Sequence, residues 1–189
     1  FVGYEKYIDA LESQNFRGNN ILSKSPWIVT RRGTSESVRE VREFVWLQML
    51  NQGMRTRAIA VADAHSVYGN GVGGWRTYVP SSTDEPSKID PKEIIRNAKA
   101  AQLMLTTGPF LEVNAGKSIS GADVKSTSGT LNLEVKVQCT DWIDIDRVQV
   151  LVNGKQEPQY NFTRASHPDF FGKGVVKFAR TIEIKLKED

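Results

Sequence analysis

From about residue 112 onward the sequence keeps a hydrophobic period of two, and that period constrains the fold more than any other feature. In "TLNLEVKVQC", Leu131, Leu133, Val135, Val137 and Cys139 alternate with polar residues, and "DRVQVLVNGKQ" and "VVKFARTIEIKL" repeat the pattern. Successive side chains of a strand point to opposite faces. Each run therefore offers one apolar and one polar face, and a slip of one residue inverts both. Asn153-Gly154 is a two-residue hairpin signal. Several such runs with no helix between them predict an antiparallel β-sandwich over residues 111–189.

Residues 1–110 follow another pattern. "YIDALES" reads as a short strand. "TSESVREVREFVWLQMLNQGMR" reads as a helix capped by Thr34 or Ser35, with Val38, Val41, Val45 and Met49 at helical spacing and Gly53 at its close. "RAIAVADAH" is an apolar run of the length of a strand buried on both faces, so strand, helix and strand make a βαβ unit. "WRTYVP" is a further short strand. "DPKEIIRNAKAAQ" is a helix with Asp90 as N-cap and Pro91 at its first position, and "LMLTTGPFLEVNAG" returns as strand, turn and strand. The expected fold class is α/β over residues 1–110 followed by all-β over residues 111–189.

Composition then excludes some functions. The 189 residues are enough for a core that needs no staples. Lys and Arg number 25 against 22 Asp and Glu, with no basic run and no basic helix face interleaved with aromatics, so no nucleic-acid partner is expected. No apolar stretch approaches the length of a bilayer span, so no membrane partner is expected either. Cys139 is the single cysteine, which rules out an intramolecular disulfide, and its place on an apolar face suits a small buried side chain.

The chemistry concentrates in "AVADAHSVYGNGVGGWRTYV". In α/β folds ligands gather at the C-terminal ends of parallel strands, and a strand running through Asp63 and His65 would set both on one side. A carboxylate beside an imidazole either shares a divalent cation or forms a hydrogen bond at a strand end, and spacing alone leaves both open. The glycines that follow offer uncovered backbone amides, and Arg76 offers a planar fork for phosphate or carboxylate. The same stretch also reads as a flexible connector with a solvated arginine.

The order of these motifs carries a resemblance. "NQGMRTRAIAVADAHSVYGNGVGGWRTYV", then "IRNAKAAQLMLTTGPFLEV" and a β tail containing "VNGK", resembles the C-terminal part of the PHP superfamily of polymerase and histidinol phosphatase-like metallohydrolases, in its CehA/McbA-like branch. The resemblance covers roughly residues 7 to 155. It implies that residues 1–110 are the C-terminal portion of a distorted (β/α)7 barrel, with Asp63 and His65 as metal ligands of a multinuclear site. Glu12 and Asn15 in "IDALESQN" match the family's Glu-x-x-Asn strand end and would line the same cavity. Arg76 would face it as an anion contact, and Thr107, Gly108 and Pro109 match the turn into the β domain.

The implied activity is hydrolysis of a small-molecule phosphoester, or a related ester or amide, assisted by divalent Zn, Mn or Fe. The family's upstream His-x-His is absent here, and the other histidine, His167 in "RASHPDFFGKG", reads as a loop residue. The chain is therefore expected to be a C-terminal fragment, inactive alone, with no catalytic residue assigned; its exposed barrel edges would either pair in an oligomer or leave residues 1–110 packed differently from a closed barrel. The alternative is a non-catalytic module whose β-sandwich recognises a partner or glycan through Trp142, Tyr160, Phe170 and Phe171.

Overall fold

The structure is a computed structural model and describes residues 10–12, 27–62, 64–65 and 74–186. In chain order the elements are β1 (Ala10–Glu12), β2 (Trp27–Arg32), β3 (Ser35–Glu40), α1 (Arg42–Asn51), β4 (Arg57–Ile59), β5 (Arg76–Tyr78), α2 (Pro91–Lys99), β6 (Met104–Thr106), β7 (Phe110–Ala115), β8 (Ser118–Ile119), β9 (Thr130–Gln138), β10 (Arg147–Val152), β11 (Lys155–Thr163) and β12 (Val176–Lys185). The described chain is mostly strand, arranged in small sheets, with an all-β C-terminal region.

That region follows the period of two. β9 is central in an antiparallel sheet of order β12-β9-β7-β8, while β10 and β11 form a separate hairpin. Val135 and Val137 of β9, Phe178, Ile182 and Ile184 of β12, and Tyr160 of β11 are buried in one cluster, which Val148, Val150, Val152 and Phe162 of the hairpin cover. Each such side chain taken from water contributes about 1.5–3 kcal/mol, enough to hold the two layers together. Tyr160 is buried with its hydroxyl satisfied: the Lys185 amide donates to it at 2.9 Å. Cys139 is buried too, and its thiol donates to the Ile143 carbonyl. Between Val176 and Phe178 the β12–β9 register shifts by one residue, leaving Lys177 as the extra residue of a bulge.

The hairpin turn is the one its sequence calls for. Val152 pairs with Lys155, and the two residues between, Asn153 and Gly154, take φ values of 52° and 71°, which a tight two-residue turn requires at both centres. α2 also starts as expected. Asp90 lies just outside it, its carboxylate accepts the Lys92 amide at 2.9 Å, and Pro91 occupies the first turn.

The N-terminal region departs from expectation in three places. First, the helix expected from Thr34 or Ser35 begins only at Arg42, with Val41 as its cap residue, and residues 27–40 form the β2–β3 hairpin instead. Gly33, at φ 60°, allows the two-residue turn between Arg32 and Ser35, and the Arg31 guanidinium pairs with Glu36 across it at 2.9 Å. Val38, assigned to the apolar helix face, lies opposite Val29 with more than half its surface in solvent. Second, the strand read through Asp63 and His65 stops at Ile59. Third, β5 pairs with β6 antiparallel, in a sheet of its own. β1 and β4 do pair in parallel, as a βαβ unit requires. No described helix is long and apolar enough to cross a membrane.

Candidate functional site

Parallel pairing sets two strand ends side by side. Glu12, the last residue of β1, stands opposite Ile59, the last residue of β4. The C-terminal ends of both strands therefore lie side by side, one leading to Asn15 and the other to Asp63 and His65. Asn15, Asp63 and the glycine-rich residues 66–73 lie outside the described residues, as does the side chain of Glu12. His65 is exposed and belongs to no strand. The period-of-two argument that set Asp63 and His65 on one side thus has no ladder to rest on, because β4 ends four residues before Asp63.

A side chain replaces that ladder. Beyond Ile59 the backbone of Ala60, almost fully buried, exchanges both its groups with Thr77 of β5: its amide donates to the Thr77 hydroxyl at 2.8 Å, and that hydroxyl donates to its carbonyl at 2.9 Å. One threonine thus joins the exit of β4 to β5 and closes the base of the segment carrying Asp63, His65 and the glycines. Thr77 was not singled out by the sequence, where a β-branched residue in "RTYV" signals only a strand.

Arg76, beside it, is half-buried, and its guanidinium carbon lies 5.8 Å from the centre of the Tyr78 ring. An arginine over an aromatic face keeps its charge while losing conformational freedom, as an anion contact needs. Tyr78 in turn meets Phe110 edge to face at 5.3 Å. Among the described residues no group of three or more His, Cys, Asp or Glu is placed to hold a metal ion. As residue types, the carboxylate of Asp63 and the imidazole of His65 suit Zn, Mn or Fe.

Other expectations resolve on burial. His167 lies in a loop, its ring beside Phe162 and Phe170 and its Nδ1 2.8 Å from the Ser166 hydroxyl. Tyr160 and Phe171 are buried and Phe170 is half-buried, so the four aromatics assigned to a ligand face do not form one; only Trp142, 84 % exposed, stands in solvent. The apolar core of the β layers claims the other three. Trp46 is half-buried and donates its indole N–H to the Thr56 carbonyl at 2.8 Å.

Two clefts flank these elements. One, of about 580 Å³, lies among Trp46, Leu50, Ala58 and Leu103, with Arg55 and Asp123 paired at its rim. The other, of about 410 Å³, lies between the β6–β7 turn and β10. No protein-family model matches the chain, and no curated protein or solved structure is significantly similar to it.

Proposed function

We propose that this chain carries part of the metal site of a PHP-type, CehA/McbA-like hydrolase, with residues 1–110 as the C-terminal portion of its barrel and residues 111–189 as a β-sandwich domain. The observation that supports this reading is the parallel pairing of β1 with β4, which sets Glu12 opposite Ile59. In such a fold the chain beyond Glu12 and the chain beyond Ile59 would leave from neighbouring strand ends, where α/β proteins gather their ligands. Asp63 and His65 would hold a divalent cation. A cation bound there lowers the pKa of a water molecule and polarises a phosphoryl or carbonyl oxygen. Arg76, steadied by Tyr78, would meet the substrate's anionic group, and Thr77 fixes the base of the segment that presents the ligands. A hydrolytic metal site takes three or more protein ligands, so the activity proposed belongs to a protein that supplies more than Asp63 and His65.

The test is calorimetric titration of the chain with Zn²⁺ beside its Asp63→Ala/His65→Ala double variant. A saturable site weakened at least tenfold in the variant is expected. Equal affinity in both proteins rejects the reading.

A further inference from the structure

Residues 29–38 of the β2–β3 hairpin are all exposed, and each of its strands pairs only with the other. The Arg31–Glu36 ion pair likewise stays inside the hairpin. A two-stranded ribbon that packs on no further layer is marginally stable in water, and additional strands are what such a ribbon lacks. Its backbone shows where one fits. The two-residue turn makes Arg32 and Ser35, which flank it, a hydrogen-bonded pair, and bonded and non-bonded pairs alternate from there. Trp27, Val29 and Arg31 therefore turn their backbone amides and carbonyls away from β3, toward the open edge of β2. An edge of this kind is a template for another strand.

The sequence of that edge matches a copy of itself. In a symmetric antiparallel pair, outward groups must meet outward groups, so full overlap of two β2 strands is closed and two registers overlap all but one residue. Centred on Thr30, the pair opposes Val29 with Arg31. Centred on Val29, it opposes Val29 with Val29 of the partner subunit, Ile28 with Thr30 of the partner subunit, and Arg31 with Trp27 of the partner subunit. Apolar then meets apolar and no arginine faces an arginine. β3 offers no such match: centred on Val38 it opposes Glu36 with Glu40, and centred on Ser37 it opposes Glu36 with Val38. We propose that β2 pairs antiparallel about Val29 with β2 of a second copy of this chain, forming a four-stranded sheet of order β3-β2-β2-β3 across a two-fold axis. Because Val29 and Val38 lie opposite each other in the hairpin, a row of four valines crosses one face of that sheet. The Arg31–Glu36 pair of each copy flanks the row. The inference uses no metal and no hydrolytic step, so it stands or falls apart from the function proposed above.

Sedimentation equilibrium of the whole chain is expected to show a monomer–dimer equilibrium. Val29→Pro removes the outward amide at the two-fold axis and spares the β2–β3 ladder, to which that amide does not bond, so it should weaken the dimer at least tenfold. Cysteine placement reads the register, since the chain's own Cys139 is buried. In the proposed pair the two Val29 Cα atoms lie about 5.5 Å apart, within reach of a disulfide, and the two Val38 Cα atoms about 14–15 Å apart, beyond it. Mild oxidation should therefore cross-link Val29→Cys and leave Val38→Cys monomeric on a non-reducing gel. Both valines are exposed, so none of these variants removes core packing. A chain that stays monomeric at every concentration overturns the proposal. So does a dimer that Val29→Pro leaves unweakened, as an oligomer built on other edges would be, or cross-linking of Val38→Cys equal to that of Val29→Cys.

Discussion

Ala101 is held at φ 57°, where a β-carbon crowds its own backbone. It sits just past α2 in a closing motif: its amide donates to the Ala98 carbonyl at 3.0 Å, and the Gln102 amide to that of Asn97 at 3.1 Å. α1 closes the same way with glycine in the equivalent place. Gly53, at φ 80°, donates to Leu50 at 2.9 Å, and Met54 donates to Met49 at 3.0 Å. Ala101→Gly therefore removes strain at the cost of a looser unfolded chain, with a net stabilisation of about 0.5–1 kcal/mol. A rise in urea midpoint at constant m-value checks this, and a lowered midpoint refutes it. Residues whose chemistry is local were legible in the sequence: Asp90 as a cap, Gly53 as a stop, Asn153-Gly154 as a turn. Ala101 was not, because nothing in its side chain announces a left-handed conformation that the surrounding packing imposes.

At the scale of elements, strands are legible to the extent that one of their faces is buried. β9 and β12 repeat the alternation read from the sequence because half their side chains enter the core. β2 and β3 pair with each other while Val29 and Val38 remain in solvent, so neither strand needs an apolar face and no period of two marks them. The helical spacing of Val38, Val41, Val45 and Met49 was real only from the cap residue Val41 onward, just before the helix begins at Arg42. β4 was read as too long because apolar residues beyond Ile59 looked like strand; a side chain, not a neighbouring strand, takes the hydrogen bonds of Ala60. Thr77→Val keeps the shape of that side chain and leaves the buried amide and carbonyl of Ala60 unpartnered, at a cost of about 1–3 kcal/mol. The loss should appear in the urea midpoint and be largely restored by Thr77→Ser; full stability in the valine variant would show that the clasp contributes nothing. Asp63 and His65 were singled out by residue type and order, whereas the bond from Thr77 to Ala60 left no mark in the sequence.

At the scale of the molecule, the N-terminal elements and the β layers meet through small residues. The turn of the β10–β11 hairpin rests on α1: Asn51 donates its side-chain amide to the Asn153 carbonyl at 3.0 Å, and a β-carbon on Gly154 would lie 3.2 Å from that of Leu47. Gly121 packs on the end of α2, where a β-carbon would overlap the carbonyl of Ala101. Arg55 reaches Asp123 with one nitrogen between both carboxylate oxygens, at 2.7 and 2.9 Å, but both side chains are exposed and such a pair adds at most about 1 kcal/mol. Gly154→Ala carries a strained φ and a tight contact with Leu47 together, and should cost about 1–3 kcal/mol. If the turn strain alone mattered, removing the Leu47 β-carbon would not relieve it; partial recovery in the Gly154→Ala/Leu47→Gly pair, read as coupling in a double-mutant cycle, identifies the docking contact. None of this was visible in the sequence, since a glycine needed for a turn and a glycine needed for close approach are written with the same letter.

The bond from Asn51 to Asn153 spans 102 residues, and this separation has a consequence in time. Chains are made from the N-terminus at roughly 5–20 residues per second, so α1 waits about 5–20 seconds for the turn against which it docks to be synthesised. During that interval the short helix is marginal by itself, and its apolar side must be sheltered or left bare. The growing chain is thus most vulnerable before its β half appears.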